Sequence, residues 1–488
     1  MASESTLGKL KLNYKKTFLI GSGFMASSIA WAIYDPLVPL LLNKFLSGSA
    51  AIANWSASVG GTSFIARVLE AQGENVHTAG GGFTLVPLFI GIIMTLDNIS
   101  GVIFQPMFGK LSDRHLSKYG KRRPFIFLFA PISAILFLLL PLMNSLGALM
   151  TCLILFVFTM SLWRAPVVAL MPDLTPPELR SEGNAIINLC GGVGSLIGMI
   201  AGTVLVALFG FNSAEMEEFP YVFGLAAVIM LASVLVLRFF VKEPDSRLKL
   251  QMEENKAADE AAARQAMKEA EKAEKERLKA MKLSGSERRS LIFMLGCLFF
   301  LFCGVNAIQT FFTLFAGEIL GKDGASATMM IAIFAACSMA AAIPAGKVGK
   351  KIGRKKTIFI GLIAFMAVFA LYAVTGNLAI IWVALVVGGA ANMFITVNTL
   401  PLVLEIGGLE RVGAFTGYYY TATFSAQIVT PIVYGVVRVL SGSYMSLFYY
   451  CPILFVLALL CLLVVRHGEV DQDKLDALVE QIELENAE

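Results

Sequence analysis

Charged residues are scarce in this chain of 488 residues. Asp, Glu, Lys and Arg make up 15% of it and hydrophobic residues 57%, whereas a charged fraction of about 25% is usual for soluble proteins. The mean hydropathy is +0.73. This composition excludes a soluble protein of this size and predicts a polytopic membrane protein.

Histidines and paired cysteines are also missing from the apolar stretches. His77, His115 and His467 all lie outside them, and the seven cysteines have no paired spacing. An intramembrane enzyme would need a nucleophile with a base, or a metal cluster, at membrane depth. We therefore expect no enzyme activity, no disulfide framework, no metal site and no cofactor. The phosphate-loop pattern G-x-x-x-x-G-K-[ST] is missing too, which argues against a nucleotide-driven pump.

Long apolar stretches, in contrast, are abundant. A membrane-spanning helix needs about 20 residues, and twelve stretches meet this length, at roughly 17–42, 85–111, 125–143, 146–171, 185–209, 221–241, 291–320, 328–348, 357–374, 379–404, 414–440 and 443–465. The sequence predicts an all-α membrane protein with two six-helix halves, 1–241 and 290–466. A charged helical linker, 242–289, joins the halves, and an acidic tail, 467–488, follows.

Lys and Arg indicate the orientation of the spans. The loops at 110–123 and 347–356 and the linker are crowded with them, whereas the opposite loops hold few, such as Lys44 and Lys322. Because basic loops stay in the cytoplasm, we expect both termini to be cytoplasmic in a multi-pass protein of the cell membrane. The polar amino terminus has no cleavage site, which predicts a retained first helix.

The two halves repeat one another weakly. GKLSDRHLSKYGKRRP from Gly109 is echoed by GKVGKKIGRKK from Gly346, and PVVALMPDLTPPELR from Pro166 by PLVLEIGGLER from Pro401. Two six-helix halves related by a repeat are typical of alternating-access transporters, whose solute site lies between the halves near the midplane. An exporter of amphipathic compounds, a sensor or a scaffold could share this fold.

Three charged residues lie well inside the predicted spans, away from the span ends, namely Asp35, Asp97 and Arg164. A charge at the bilayer centre costs roughly 2.5 to 3.5 kcal/mol on insertion scales, so each should face a partner or a wet cavity. We predict that Arg164 pairs with Asp97 in at least one conformation. Since an arginine stays protonated, Asp97 is the predicted proton-coupling residue. Asp35 is the second candidate, although it precedes Pro36 and could lie at the membrane interface.

Uncharged polar and aromatic residues at helical spacing predict the cavity. Gln105 shares the stripe of Asp97 and Gly101, because residues four apart lie on one helix face. Amide and hydroxyl groups suit the hydroxyls of a sugar, and aromatic rings offer flat apolar surfaces. For any single residue, interhelical hydrogen bonding or packing is an equally good explanation. The predicted substrate-binding residues are Trp31, Asn98, Gln105, Asn306, Gln309, Phe312, Asn392, Thr396, Tyr420 and Gln427.

These motifs resemble a known family. The pair of Gly-Lys basic loops is similar to the cytoplasmic signature of the major facilitator superfamily. LDNISGVIFQPMFGKLSDR followed by YGKRRPFI resembles the sucrose:proton symporters and their bacterial relatives, near the glycoside:cation symporters. The resemblance implies a major-facilitator fold and symport of a sugar or glycoside with a proton, or with sodium. We expect a monomer in the lipid bilayer, with a small-molecule substrate and no nucleic-acid partner.

The resemblance also implies a cytoplasmic gate, although some of its cations could serve only to fix the topology. The predicted gate residues are Gly109, Asp113, Arg114, Gly120, Arg122, Arg123, Gly346, Gly353 and Arg354. Two departures from the family pattern matter. The fourth span lacks the acidic residue that plant sucrose carriers use as proton carrier and contains Arg164 instead. The second loop has Lys350 where the first has Asp113, so the two gates should differ in strength.

Overall fold

The structure is a computed structural model, and it describes residues 12–60, 84–115, 117–175, 179–244, 284–407 and 412–467. Within these ranges the chain forms thirteen α-helices, three short 3₁₀ segments and no β-strand. The all-α fold predicted from the sequence is confirmed.

The helices are numbered here in chain order. The seven before the linker are α1 (Tyr14–Ser47), α2 (Ala50–Gly60), α3 (Val86–Arg114), α4 (Arg123–Leu139), α5 (Leu146–Leu174), α6 (Arg180–Phe209) and α7 (Phe219–Phe240). The six after it are α8 (Gly285–Leu320), α9 (Gly324–Ile352), α10 (Arg354–Thr375), α11 (Leu378–Gly407), α12 (Val412–Ser441) and α13 (Leu447–Val464). All except α2 are long and apolar enough to cross a membrane, so the twelve predicted spans are confirmed.

Two segments of the prediction fall largely or wholly outside the described residues. These are the greater part of the charged linker predicted at 242–289 and nearly all of the tail predicted at 467–488.

Helix ends follow capping residues in the sequence. The side chain of Asn13 accepts the backbone N–H of Lys16 at 3.0 Å at the start of α1, and Ser145 accepts that of Ala148 at 3.3 Å at the start of α5. Asparagine and serine are favoured at these positions because their oxygens pair with otherwise unpaired N–H groups. Gly210 ends α6 in a left-handed conformation with φ of 70°, as glycine commonly does.

Helix α1 runs without a break through Pro36 and Pro39, where the sequence predicts a bend or a break. Pro36 and Pro39 lack the N–H groups that would pair with the carbonyls of Ala32 and Asp35 one turn earlier. Thr313 of α8 donates its hydroxyl to the carbonyl of Pro36 at 2.7 Å. The outer part of α1 is therefore held by tertiary contacts as well as by its own backbone.

The described residues divide into two compact units. The first contains residues up to 244 together with 309–332 and 431–444; the second contains 284–308, 333–430 and 445–467. The first unit thus combines α1 to α7 with end segments of α8, α9 and α12. The two halves predicted from the chain topology, 1–241 and 290–466, stay a prediction.

In the first unit, α1 packs against α3, α5, α6 and α7. Its approach to α6 is close because α6 presents glycines there: a Cβ on Gly194 would lie 2.6 Å from the carbonyl oxygen of Met25, and one on Gly198 3.0 Å from that of Ile29. Such spacing of small residues lets membrane helices approach closely. The central position of α1 brings its polar residues beside those of α3 and α5.

In the second unit, α10 packs against α11 and α13. Its core is aromatic. The Phe365 ring stacks on Phe455 at 4.6 Å between centroids, and the Phe369 ring on Phe448 at 5.1 Å. These stacks hold α10 and α13 together.

Candidate functional site

Three charged side chains come together among the spanning helices of the first unit. Asp35 of α1, Asp97 of α3 and Arg164 of α5 interact electrostatically, and each is half-buried. The Arg164 guanidinium lies 5.5 Å from the centre of the Trp31 ring, within the range of a cation–π interaction. Among the described residues Arg164 forms no ion pair. The predicted pair with Asp97 is therefore not formed in this structure and stays a prediction for another conformation.

Asp97 is oriented by its neighbour in the chain. The backbone N–H and the side-chain amide of Asn98 donate to one carboxylate oxygen of Asp97, at 2.6 and 2.8 Å. Hydrogen bonds of this local kind fix the direction of a short polar side chain. Asn98, a predicted substrate ligand, here positions the carboxylate.

Two buried donors beside the cluster have no hydrogen-bond partner among the described residues. They are the indole N–H of Trp31 and the hydroxyl of Tyr34, and Tyr34 is 0% exposed. An unsatisfied buried polar group costs roughly 1–3 kcal/mol, so such groups indicate a ligand or a second conformation. The sequence prediction missed Tyr34. Its position three residues after Trp31 places both on one face of α1 and could have identified it.

Helix α3 shows the two faces that its spacing predicts. Asp97, Gly101 and Gln105 form a half-buried stripe. Apolar side chains on the rest of the helix are 38–55% exposed, namely Ile99, Val102, Ile103 and Met107. In a membrane such side chains contact lipid, which is as apolar as they are. The predicted ligand Gln105 therefore lies on the same stripe as Asp97.

Predicted ligands in the second unit make local hydrogen bonds. The Asn306 side chain donates to the carbonyl of Phe302 at 3.0 Å, one turn earlier in α8. Thr396 donates its hydroxyl to the carbonyl of Asn392 at 2.5 Å within α11. Hydroxyls and amides bonded to their own helix retain capacity for further bonds. Their part in substrate binding stays a prediction.

The remaining predicted ligands differ in exposure. Tyr420 of α12 is 48% exposed, Gln427 is half-buried and Gln309 is exposed. Phe312, in the first unit, is 0% exposed and lies 5.6 Å from the Phe315 ring. In this structure Phe312 contributes to the core, which agrees with the alternative explanation that such residues serve in packing.

The basic loop between α3 and α4 is organised by one buried arginine. Arg122 forms ion pairs with Asp113 at the end of α3 and with Asp173 near the end of α5, the latter at 2.8 Å. Its guanidinium also donates to the Ser112 hydroxyl at 2.5 Å and to the carbonyl of Gly109 at 3.2 Å. Arg122 therefore joins three segments, and its partner Asp173 is not among the predicted gate residues.

Glu243 completes this loop from the end of α7, and it too was missed. Its carboxylate accepts the backbone N–H groups of Lys121, Arg122 and Arg123, at 2.9 to 3.2 Å. A carboxylate suits the start of a helix because the first N–H groups of α4 have no partner within the helix. Gly120 has φ of 92°, and a Cβ there would overlap this carboxylate. Glycine is thus required at position 120 both by its positive φ angle and by the lack of room for a Cβ atom.

The other gate residues predicted in this loop have smaller parts. Arg123 is buried and donates to the carbonyl of Arg238 at 2.7 Å, which ties the start of α4 to α7. Arg114 is exposed. The partner of Asp113 is thus Arg122, across the turn of the loop, and not the adjacent Arg114.

The corresponding loop of the second unit is simpler. Gly353, with φ of 96°, separates α9 from α10, and Arg354 pairs with Glu405 near the end of α11. Lys355 donates to the carbonyl of Val465 after α13. Gly346 is half-buried within α9.

A cavity of about 470 Å³ opens in the second unit, between the start of α8 and the end of α13. Arg289, Arg466, Ser286 and Ser290 contribute to its lining. None of the predicted substrate ligands borders it, so it is separate from the predicted solute site.

The family model of the Major Facilitator Superfamily matches residues 20–321 and 294–483. The chain belongs to the major facilitator superfamily. The predicted resemblance to this superfamily is therefore confirmed.

Curated relatives match parts of this facilitator. The sucrose transport protein SUC3 of Arabidopsis thaliana is 26% identical over 192 residues, which make up 32% of this chain and 31% of that protein. The quinolone resistance protein NorA of Staphylococcus aureus is 25% identical over 170 residues, or 35% of this chain and 43% of that protein. The matched region spans less than half the length of either relative.

Among solved structures, the xylose transporter XylE from E. coli, in an inward open conformation, matches 95% of this facilitator and 99% of its own chain. The TM-score is 0.61 and the sequence identity 16%. A likeness at this identity shows the fold, and it confirms the major-facilitator architecture.

Proposed function

We propose that this facilitator carries a sugar or glycoside together with a proton, by alternating access. The observation that carries the proposal is the charge count of the membrane cluster: two carboxylates, Asp35 and Asp97, face the single guanidinium of Arg164. With both acids ionised, one negative charge is in excess, and uncompensated charge at this depth is costly. One bound proton neutralises the cluster. The excess carboxyl can therefore be charged in one step of the cycle and neutral in another.

The unpaired donors beside the cluster support a polyhydroxylated substrate. The indole N–H of Trp31 and the hydroxyl of Tyr34 lack partners among the described residues. The Trp31 ring lies against the Arg164 guanidinium, and Tyr34 interacts electrostatically with both carboxylates. Sugar hydroxyls are both acceptors and donors, so they can pair with these groups and with the acids at once. The Trp31 ring supplies an apolar surface for a sugar ring. The similarity to a sucrose transport protein favours the same class.

The Arg122 loop is the proposed cytoplasmic gate, since the positive-inside pattern places it on that side together with both termini. Alternating access requires that contacts at this end form and break as the solute site changes sides. The bonds of Arg122 to Asp113 and Asp173 hold α3, α4 and α5 in one arrangement. They hold these three helix ends together, so that this loop moves as one body when contacts at this end form and break.

The test is uptake by proteoliposomes that hold the full chain and an internal pH dye. A panel of mono- and disaccharides is added outside, and a substrate should acidify the interior. Asp97→Asn should abolish accumulation against a gradient and its dependence on external pH, while exchange of substrate persists. Glu215→Gln removes an exposed carboxyl of the α6–α7 loop and is the matched control.

Two results would contradict this assignment. If Asp97→Asn still concentrates solute with unchanged pH dependence, Asp97 is structural and Asp35 becomes the coupling residue. If accumulation requires sodium and ignores the proton gradient, the carrier is a sodium symporter.

The match to the quinolone resistance protein favours a second candidate, an exporter of small amphipathic compounds. Such an exporter would exchange its substrate for protons through the same charged cluster. In inside-out vesicles with an acidic interior, it would accumulate an amphipathic dye, and sugars would cause no acidification. The panel described above separates the two candidates.

A further inference from the structure

A carboxyl group is buried at the end of the first unit opposite to the Arg122 loop. Glu218 directly precedes α7 and is 1% exposed, whereas Glu215 and Glu217 in the same loop are exposed. One carboxylate oxygen of Glu218 accepts the hydroxyl of Ser213 at 2.5 Å. The other is buried and has no partner among the described residues. Of three neighbouring acids, one is enclosed, and its hydrogen bonding is incomplete.

The start of α9 packs against the start of α7 at this point. A Cβ on Gly324 would meet the ring of Phe219, the residue after Glu218, at 3.2 Å. Thr203 of α6 donates its hydroxyl to the carbonyl of Ala325 at 2.8 Å. These contacts join the end of α6 and the start of α7 to α9, within the first unit. Glu218 therefore lies directly beside the contact between α7 and α9.

The charged groups that act on Glu218 are both acids. Asp323, in the turn before α9, and Glu217, in its own loop, interact with it unfavourably. Burial first, and then these two acids, raise the pKa of Glu218 above its ordinary value of 4.5, while the bond from Ser213 opposes the shift. The contribution of protonated Glu218 to the packed arrangement is therefore fully present below about pH 4.5. It is lost as the pH rises through the raised pKa.

We propose that Glu218 is a proton sensor of the carrier: when protonated it lets α9 pack against α7, and when ionised it drives the two helix ends apart. This inference rests on the proposed function in one respect only, namely that this end of the protein faces the outside of the cell. External acid would then favour closure of this end, independently of the coupling carboxyl Asp97. In a proton symporter that order is productive, because closure follows protonation from the outside.

The test measures the separation of the helix ends directly. Spin labels are placed at Ala214 and Met329, both exposed, in the full chain reconstituted in nanodiscs, and distances are recorded by double electron–electron resonance from pH 4.5 to 8.5. The parent chain, labelled at its native cysteines alone, gives the background. A longer distance should gain population as the pH rises. Each unit by which packing raises the pKa of Glu218 corresponds to a tenfold change in the ratio of the two populations.

Three variants decide the outcome. Glu218→Gln should keep the short distance at every pH, and Glu215→Gln, the exposed control that does not act on Glu218, should respond like the parent. Asp323→Asn removes one repulsive partner and keeps an oxygen for the N–H of Ser326, so it should lower the separated population at pH 8. A parent chain without a pH response, or a Glu218→Gln chain with the full response, would overturn the sensor.

Asp97→Asn should retain this distance response even though transport coupling is lost. Failure of the transport proposal would leave the distance response intact, and failure of the sensor would leave sugar-dependent acidification intact. The two proposals can therefore fail separately.

Discussion

The two basic loops of this facilitator use the same plan with different strength. In each, an arginine at the start of a helix pairs with an acid near the end of the next helix: Arg122 with Asp173, and Arg354 with Glu405. The Arg122 side chain is 5% exposed and has a second acid, Asp113, whereas the Arg354 side chain is 27% exposed and has one acid. The first loop is therefore the more tightly fixed of the two.

The attachment to the last helix of each half differs in the same direction. At the start of α4 the Glu243 carboxylate accepts three consecutive N–H groups. At the start of α10, Lys355 donates to the carbonyl of Val465. A carboxylate bonded to several N–H groups is held more firmly than one flexible lysine chain. The repeat therefore preserves the location of these loop contacts and not their number.

The largest effect is expected from Arg122→Ala. It removes two ion pairs and the bonds to Ser112 and Gly109, so we expect the free energy of unfolding to fall by about 3 kcal/mol. Thermal unfolding in detergent measures this, with Arg114→Ala as the exposed control, expected to change stability by less than about 0.5 kcal/mol. Equal losses in both variants would show that Arg122 does not organise the loop.

Glu243→Gln should have the second largest effect. The side-chain amide places a donor against backbone N–H groups that now face a carboxylate, and we expect a loss of about 2 kcal/mol. The exposed neighbour Lys242 provides the control Lys242→Gln. Unchanged unfolding in the Glu243 variant would mean that the cap contributes nothing, and the two loops would then be more alike than their contacts indicate.

Arg354→Gln tests the weaker loop. Its ion pair is partly exposed, and such pairs contribute little, so we expect a loss of about 1 kcal/mol or less. Lys356→Gln, in the first turn of α10, is the exposed control. A loss as large as that of the Arg122 variant would abolish the proposed difference between the loops.

Asp113→Asn should have the smallest effect on stability, below about 1 kcal/mol, because the side chain is 52% exposed. Its effect should be kinetic: turnover slows while substrate binding changes little, since the loop is remote from the charged cluster. Initial uptake rates and equilibrium binding to the purified carrier measure the two. Normal turnover with lost binding is the result that would remove Asp113 from the gate.

The helices and their wet faces could be predicted from the sequence because both are local properties. Twelve apolar stretches give twelve spanning helices, and the spacing of Asp97 and Gln105 gives the polar stripe of α3. The sequence predicts Asn98 as a substrate ligand and not as the residue that orients Asp97, because amide orientation depends on a bond that spacing does not determine.

The pairings between helices could not be predicted in the same way. Arg122 meets Asp173 across 51 residues and Glu243 across 121, and no helical period connects such positions. The sequence did contain one usable signal. Within the first unit, the motif from Pro166, which contains Asp173, and the basic motif from Gly109 lie at the same helix ends. Asp173 could therefore be expected to meet the basic residues of the loop. Glu218 had no such signal, since Glu217 beside it is chemically identical and only packing distinguishes them.

The contact between α3 and α12 has a consequence for the assembly of the chain. A Cβ on Gly91 would overlap the carbonyl oxygen of Pro431, so the two backbones touch within the first unit, although they are 340 residues apart. Ribosomes synthesise about 5–20 residues per second, so α3 waits roughly 20 to 70 s for α12 to be made. During that interval the surface of α3 around Gly91 lacks its native partner in the bilayer. Synthesis rate and membrane quality control should therefore influence how much of this carrier reaches its native fold.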